Sequence, residues 1–232
     1  FFLAQGNLNA AEERMREAAG LVQLGIPVWL KPEVVTQQVI VYLARNNPAA
    51  AEAILNEYNI SADLPAGLTY PQDLYYAAYL RLLIYKVGEQ NQFYLLPVAL
   101  KLADELLKEA AEQQRMGMLL QLRILRALLY AAAGKAPGGR EDLLAALEIA
   151  QPEGYIRIFV DEGPVMADLL KNLPATALQR DYIASLLAAF PNQIETKSNA
   201  VSDALIEPLT ERENEVLCLI AEGLKYEEIA ER

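Results

Sequence analysis

Four short clusters of turn-forming residues cut most of this chain into stretches patterned for helices. They are Gly6-Asn7, Asn46-Asn47-Pro48, Gly88-Glu89 and Gly134-Lys135, and they begin 40, 42 and 46 residues apart. They separate a truncated leading helix from residues 10–24, 33–45 from 49–58, 72–87 from 96–113, and 114–133 from 141–150. Ala, Leu, Glu, Gln and Arg fill most of these stretches, and β-rich runs are scarce. Ala11, Met15 and Ala18, then Ala51, Leu55 and Tyr58, follow the first turns at helical spacing. Small side chains among them let one helix pair approach the next. Such a pair cannot bury its apolar face alone, so the pattern predicts an all-α array of stacked pairs.

The array resembles tetratricopeptide-type repeats, whose period is about 34 residues. The spacing here is longer and irregular, and several signature positions are missing. The resemblance implies a tetratricopeptide-like helical-repeat superhelix over residues 1–190, the domain that a further resemblance below reads as a sensor. Two segments interrupt the pattern. Residues 61–71 hold two prolines and Gly67 and read as a loop between repeats. Residues 151–163 carry β-branched and aromatic side chains from Tyr155 to Val160, which predicts a short extended piece. Helices resume over 164–172 and 175–190. Residues 191–208 are polar, bracketed by Pro191 and Pro208, and read as a linker.

The last segment, residues 209–232, reads as one helix, a tight turn and the start of a second helix. Thr210 is an N-cap candidate with Glu213 three residues later, a capping box. Val216, Leu217, Leu219 and Ile220 form an apolar stripe, and Gly223 supplies a left-handed stop. Leu209-Thr210-Glu211-Arg212-Glu213, Val216-Leu217, Ile220-Ala221-Glu222-Gly223 and Glu228-Ile229-Ala230 resemble the start of the LuxR-type DNA-binding domain. The resemblance implies a truncated helix-turn-helix whose groove-reading helix would begin beyond Arg232. Lys225 and Tyr226, opening the second helix, are then candidates for DNA-backbone contact, with plain surface roles as the alternative.

Pro152-Glu153-Gly154-Tyr155 and Phe159-Val160-Asp161-Glu162-Gly163, with the helical repeats before them, look like the region upstream of the DNA-binding domain in large ATP-binding LuxR regulators, the MalT-like group. That resemblance implies a nucleotide-binding domain ahead of a helical-repeat sensor. ATP would belong to such a preceding domain, and no cofactor is expected in this stretch.

Composition narrows the chemistry. The net charge of −11 argues against nonspecific nucleic-acid binding by these residues, and 209–232 themselves carry −4. No apolar run reaches the roughly 18 residues that a membrane span needs, and no signal peptide is visible. One cysteine, Cys218, fits a reducing cytoplasm, and with no histidine neither a zinc site nor a histidine triad is expected. Residues 134–140 (GKAPGGR) lack the order of a phosphate loop and read as an inter-helix loop. Asp161 and Glu162 are expected to cap the helix beginning near Pro164 rather than to do acid–base work. No catalytic residue is expected.

Candidates for a ligand or partner groove lie among the tyrosines and arginines. Tyr70, Tyr75, Tyr76, Tyr79, Tyr85 and Tyr94 crowd one repeat. They pack a core with their hydroxyls reaching water, or they line a groove. Tyr75 and Tyr79 share one face at i, i+4, and Arg81 and Tyr85 share another. Arg123 and Arg126 fall within one helical turn, set either to bind a carboxylate or phosphate or to form a solvated face. Trp29 precedes a helix and is a core candidate.

Two readings follow. In the first, the array is the sensor of a transcription regulator, binding a small-molecule effector or a protein partner while the terminal module binds promoter DNA. In the second, it is a protein–protein interaction scaffold with no DNA role. No membrane partner is expected in either.

Overall fold

The computed structural model describes residues 6–23, 27–65, 67–174 and 176–190, which belong to one compact unit spanning 1–190. The linker 191–208 and the segment 209–232, with Lys225, Tyr226 and Cys218, lie outside the described residues.

Among the described residues the fold is all-helical, with no strand. Helix α1 is Leu8–Gln23, α2 Lys31–Ala44, α3 Pro48–Glu57, α4 Asp73–Gly88, α5 Leu96–Glu112, α6 Met116–Ala132 and α7 Arg140–Ala150. Shorter helices close the unit: α8 Arg157–Val160, α9 Pro164–Lys171 and α10 Ala177–Ala188. No helix among the described residues is long and apolar enough to cross a membrane.

The turns explain the pairing. Asn47 accepts a hydrogen bond from the Ala50 N–H at 3.2 Å, Pro48 follows it in the first turn of α3, and Asn46 just before sits at φ 57°. Asn tolerates that left-handed conformation better than most residues, so the chain reverses there at little cost. Asn91 (φ 54°) makes the reversal between α4 and α5, and Gly134 (φ 70°) the one between α6 and α7.

This corrects the reading of Gly88 as a turn residue. Gly88 ends α4, and a Cβ built on it lies 3.2 Å from the Ala132 Cβ. It is a point of close approach between α4 and α6.

Helices α2, α4 and α6 lie side by side, and α3, α5 and α7 each pack on the helix before them. Helices α3 and α5 also touch the next helix in sequence, α4 and α6, so adjacent pairs interlock. The shared core is leucine-rich: Leu55, Leu80, Leu82, Leu102, Leu106, Leu120, Leu122, Leu125 and Leu129 are fully buried. Each is worth roughly 1.5–3 kcal/mol relative to exposure, which supplies the drive for stacking.

Three further expectations change. Residues 157–160 form one helical turn, not an extended piece, with Phe159 and Val160 buried. A short apolar run looks alike in either state, and tertiary packing decides. Asp161 and Glu162 do not cap α9, whose N-cap is Gly163 with no side-chain hydrogen bond. Asp161 accepts from Arg157, and Glu162 reaches Arg81. Trp29 is largely exposed rather than core. Residues 134–140 do form an inter-helix connection, with a 3-10 turn over Ala136–Gly139.

Candidate functional site

Three alternate helices that lie side by side turn the same face to one groove. Ile40, Leu43 and Ala44 come from α2, Arg81, Ile84, Tyr85 and Gly88 from α4, and Leu125, Leu128, Ala131 and Ala132 from α6. Steps of three and four residues put each set on a single helix face, so stacked repeats build a continuous apolar floor. Glu89 lies just past α4, and Asp161, Glu162 and Val165 close the far side from the α8–α9 turn. The cavity measures about 410 Å³. That is within the range of small-molecule sites, which are mostly apolar with a few placed polar groups.

A second cavity of about 360 Å³ adjoins it, lined by residues including Pro137, Arg140, Leu143, Asp168 and Leu173. Ala131 and Val165 line both, so Val165 stands at the partition.

The polar wall of the groove is built on one ion pair. Arg81 donates from both terminal nitrogens to the two carboxylate oxygens of Glu162, at 2.7 and 2.5 Å. The side chains are 18% and 9% exposed, so water screens the pair poorly. The fork-to-fork geometry fixes the angle of the α8–α9 turn against α4. The Tyr85 hydroxyl donates to the Asn46 side-chain oxygen, tying the groove rim to the α2–α3 turn.

The structure separates the residues singled out from sequence. Of the six tyrosines and arginines proposed for a groove by their spacing (Tyr75, Tyr79, Arg81, Tyr85, Arg123 and Arg126), only Arg81 and Tyr85 line this one. Tyr75 and Tyr79 lie on the other side of α4. There Tyr75 stacks on Tyr58 at 5.1 Å between ring centroids, and burial pushes its phenol up to about 12. Burial also raises Tyr79, helped by the carboxylates of Glu52 and Asp63, which disfavour a phenolate.

Arg123 and Arg126 already hold a carboxylate of this chain. Arg126 donates to both oxygens of buried Asp142 at 2.7 Å, Arg123 reaches one at 3.3 Å, and Arg126 also contacts Asp104. The hydrogen bonds to Asp142 raise the Arg126 guanidinium above its ordinary value. These arginines join α6 to α7 and α5.

The floor residues Ile84 and Leu43 carry no signal in the sequence that marks them as a site, and Glu162 reads there only as a helix cap or an acid–base group. Among the described residues, no cluster of three or more His, Cys, Asp or Glu is arranged to hold a metal ion.

The family model for the MalT-like TPR region matches residues 1–176. The chain belongs to the MalT-like TPR family. The groove therefore lies wholly inside the MalT-like TPR region, and the match ends at Thr176, the N-cap of α10. Thr176 accepts from the Gln179 N–H while the Gln179 side chain accepts from the Thr176 N–H, a complete capping box. No curated protein matches the chain.

Proposed function

We propose that this MalT-like TPR region is the sensor of a LuxR-type transcription regulator and that the groove across α2, α4 and α6 receives its effector. The family match over residues 1–176 carries the reading. The motif in residues 209–232, similar to the start of a LuxR-type DNA-binding domain, supports the regulatory half of it.

An effector in the groove would touch three helices and the α8–α9 turn at once. It favours whichever arrangement of those elements it fits best, and the populations shift accordingly. The turn leads through α9 and α10 toward the DNA-binding module, so the shift alters presentation of that module to promoter DNA. Lys225 and Tyr226 contact the DNA backbone in this scheme. It requires no reaction in these residues, places the protein in the cytoplasm and leaves ATP to a separate nucleotide-binding domain.

The test compares promoter-fragment retardation by the full-length gene product with that by residues 1–208. The full product is expected to retard the fragment and the shorter one not to. Ala131→Trp, which fills the groove from its floor, is expected to uncouple retardation from effector. A full product that binds no promoter DNA overturns the proposal.

A further inference from the structure

We infer that the groove takes a small amphipathic cation, an apolar body bearing one protonated amine or guanidinium. The inference rests on the sensor reading above and concerns the chemical class of the effector. The floor is apolar, so the charged residues on the rim decide which polar group is accepted. Four charged side chains line the cavity: Arg81, Glu89, Asp161 and Glu162.

Arg81 is unavailable to a ligand. Both terminal nitrogens donate to Glu162, and its Nε, which has no hydrogen-bond partner among the described residues, is buried and so closed to a ligand in the groove. An anion would have to take Arg81 from Glu162 and leave that mostly buried carboxylate unpaired beside it, which both desolvation and repulsion oppose.

The remaining groups favour positive charge. Glu89 is exposed and forms no ion pair among the described residues. It stands one helical turn beyond Tyr85, and both line the cavity. Asp161 is held only by Arg157 at an open surface, both side chains being more than half exposed. An ammonium on the rim thus meets the Glu89 carboxylate and the Tyr85 ring face while its hydrocarbon lies over Ile84 and Leu43, the partly exposed part of the floor. The occupant is a small molecule rather than a peptide, because about 410 Å³ holds a body of that size.

The experiment uses the 232-residue chain and three probes with one carbon skeleton: 3-phenylpropylamine, 3-phenylpropan-1-ol and 3-phenylpropanoate. Binding is followed by NMR on labelled Leu and Ile methyl groups. The amine is expected to perturb Ile84 and Leu43 and to bind about tenfold tighter than the carboxylate. Glu89→Gln, at an exposed position, should weaken the amine about three- to fivefold and leave the alcohol unchanged. Tyr85→Phe should retain amine binding, and Tyr85→Leu should lose part of it. If the carboxylate perturbs the same methyls as strongly as the amine, the cation inference fails while a sensing groove stands. It also fails if Glu89→Gln leaves amine binding unaltered, or if none of the three binds. The sensor reading is judged separately, by promoter retardation.

Discussion

Arg81 and Glu162, separated by 81 positions in the chain, meet through two hydrogen bonds that hold the α8–α9 turn against α4. The pair sits on the wall of the groove, so the closing helices and the ligand space share a contact. Glu162→Gln keeps the shape but removes the charge, leaving a largely buried guanidinium without its counter-ion. The expected cost is about 1–3 kcal/mol. Amide exchange over residues 157–171 should quicken while α5 stays protected. Replacing both partners, Arg81→Met with Glu162→Met, should cost less than Glu162→Gln alone, because no buried charge is stranded. Unchanged exchange in 157–171 for Glu162→Gln would mean that the pair does not clamp the turn.

Asp142 anchors a second buried charged junction. It is 2% exposed and shared by Arg123 and Arg126. Asp142→Asn leaves two guanidinium groups facing each other over a neutral amide. Breaking a buried pair costs about 3–5 kcal/mol, and the partial exposure of both arginines reduces the expectation to about 2–3 kcal/mol. Asp104, the second partner of Arg126, is mostly exposed, so Asp104→Asn should cost under about 1 kcal/mol. Urea midpoints rank the two variants, and equal losses would show that burial does not set the difference.

The helices were legible because 3.6-residue periodicity and turn chemistry agree along most of the chain. Asn46-Asn47-Pro48 marks a reversal, a cap and a helix start in three letters, and the structure uses all three. Gly88 misled because a glycine needed for close approach to Ala132 reads the same as one needed for a turn. The groove face was partly visible: Arg81 and Tyr85 were singled out, and the steps at 40, 43, 44 and 125, 128, 132 follow from helical geometry. That this face stays uncovered was not visible, since it depends on where α9 packs. The Glu162 partner of Arg81 was invisible for the same reason. No local pattern links two charges brought together only by stacked repeats. For Arg123 and Arg126 the sequence leaves open a bound carboxylate or phosphate and a solvated face, and it does not show that Asp142 of the same chain holds both.

Alkaline pH should loosen the fold through the α3–α4 tyrosines. The Tyr75 phenol is pushed up to about 12 by burial against Tyr58, and Tyr79 is raised by burial and nearby carboxylates. An unfolded tyrosine loses its proton near 10. From there to about 12 the unfolded chain sheds protons that the folded chain keeps, so stability falls as pH rises. Below 10 the contribution is fully present. The Tyr75 share is about 1 kcal/mol once solvent screening is allowed for. Urea midpoints at pH 9 and 11 should therefore diverge less in Tyr75→Phe than in the parent chain, and an identical decline would remove Tyr75 as the cause.

Two adjacent glycines before α7 look interchangeable in the sequence but answer to different neighbours. A Cβ on Gly139 falls 2.7 Å from the Ala127 Cα and 3.0 Å from its Cβ. Backbone of α6 cannot give way without shifting the helix, so Gly139→Ala should cost about 2–3 kcal/mol. The backbone of Gly139 is itself ordinary, at φ −90°, so the penalty is packing and not conformation. A Cβ on Gly138 meets the Tyr130 ring at 2.7 Å, a half-buried side chain that can shift without moving the α6 backbone. That relaxation, together with the entropy an alanine removes from the unfolded chain, should leave Gly138→Ala within about 1 kcal/mol of the parent. In thermal unfolding, Gly139→Ala should melt about 4–10 °C lower and Gly138→Ala nearly unchanged. Equal losses at both positions would show that contact with the α6 backbone is not what requires glycine at the α7 start.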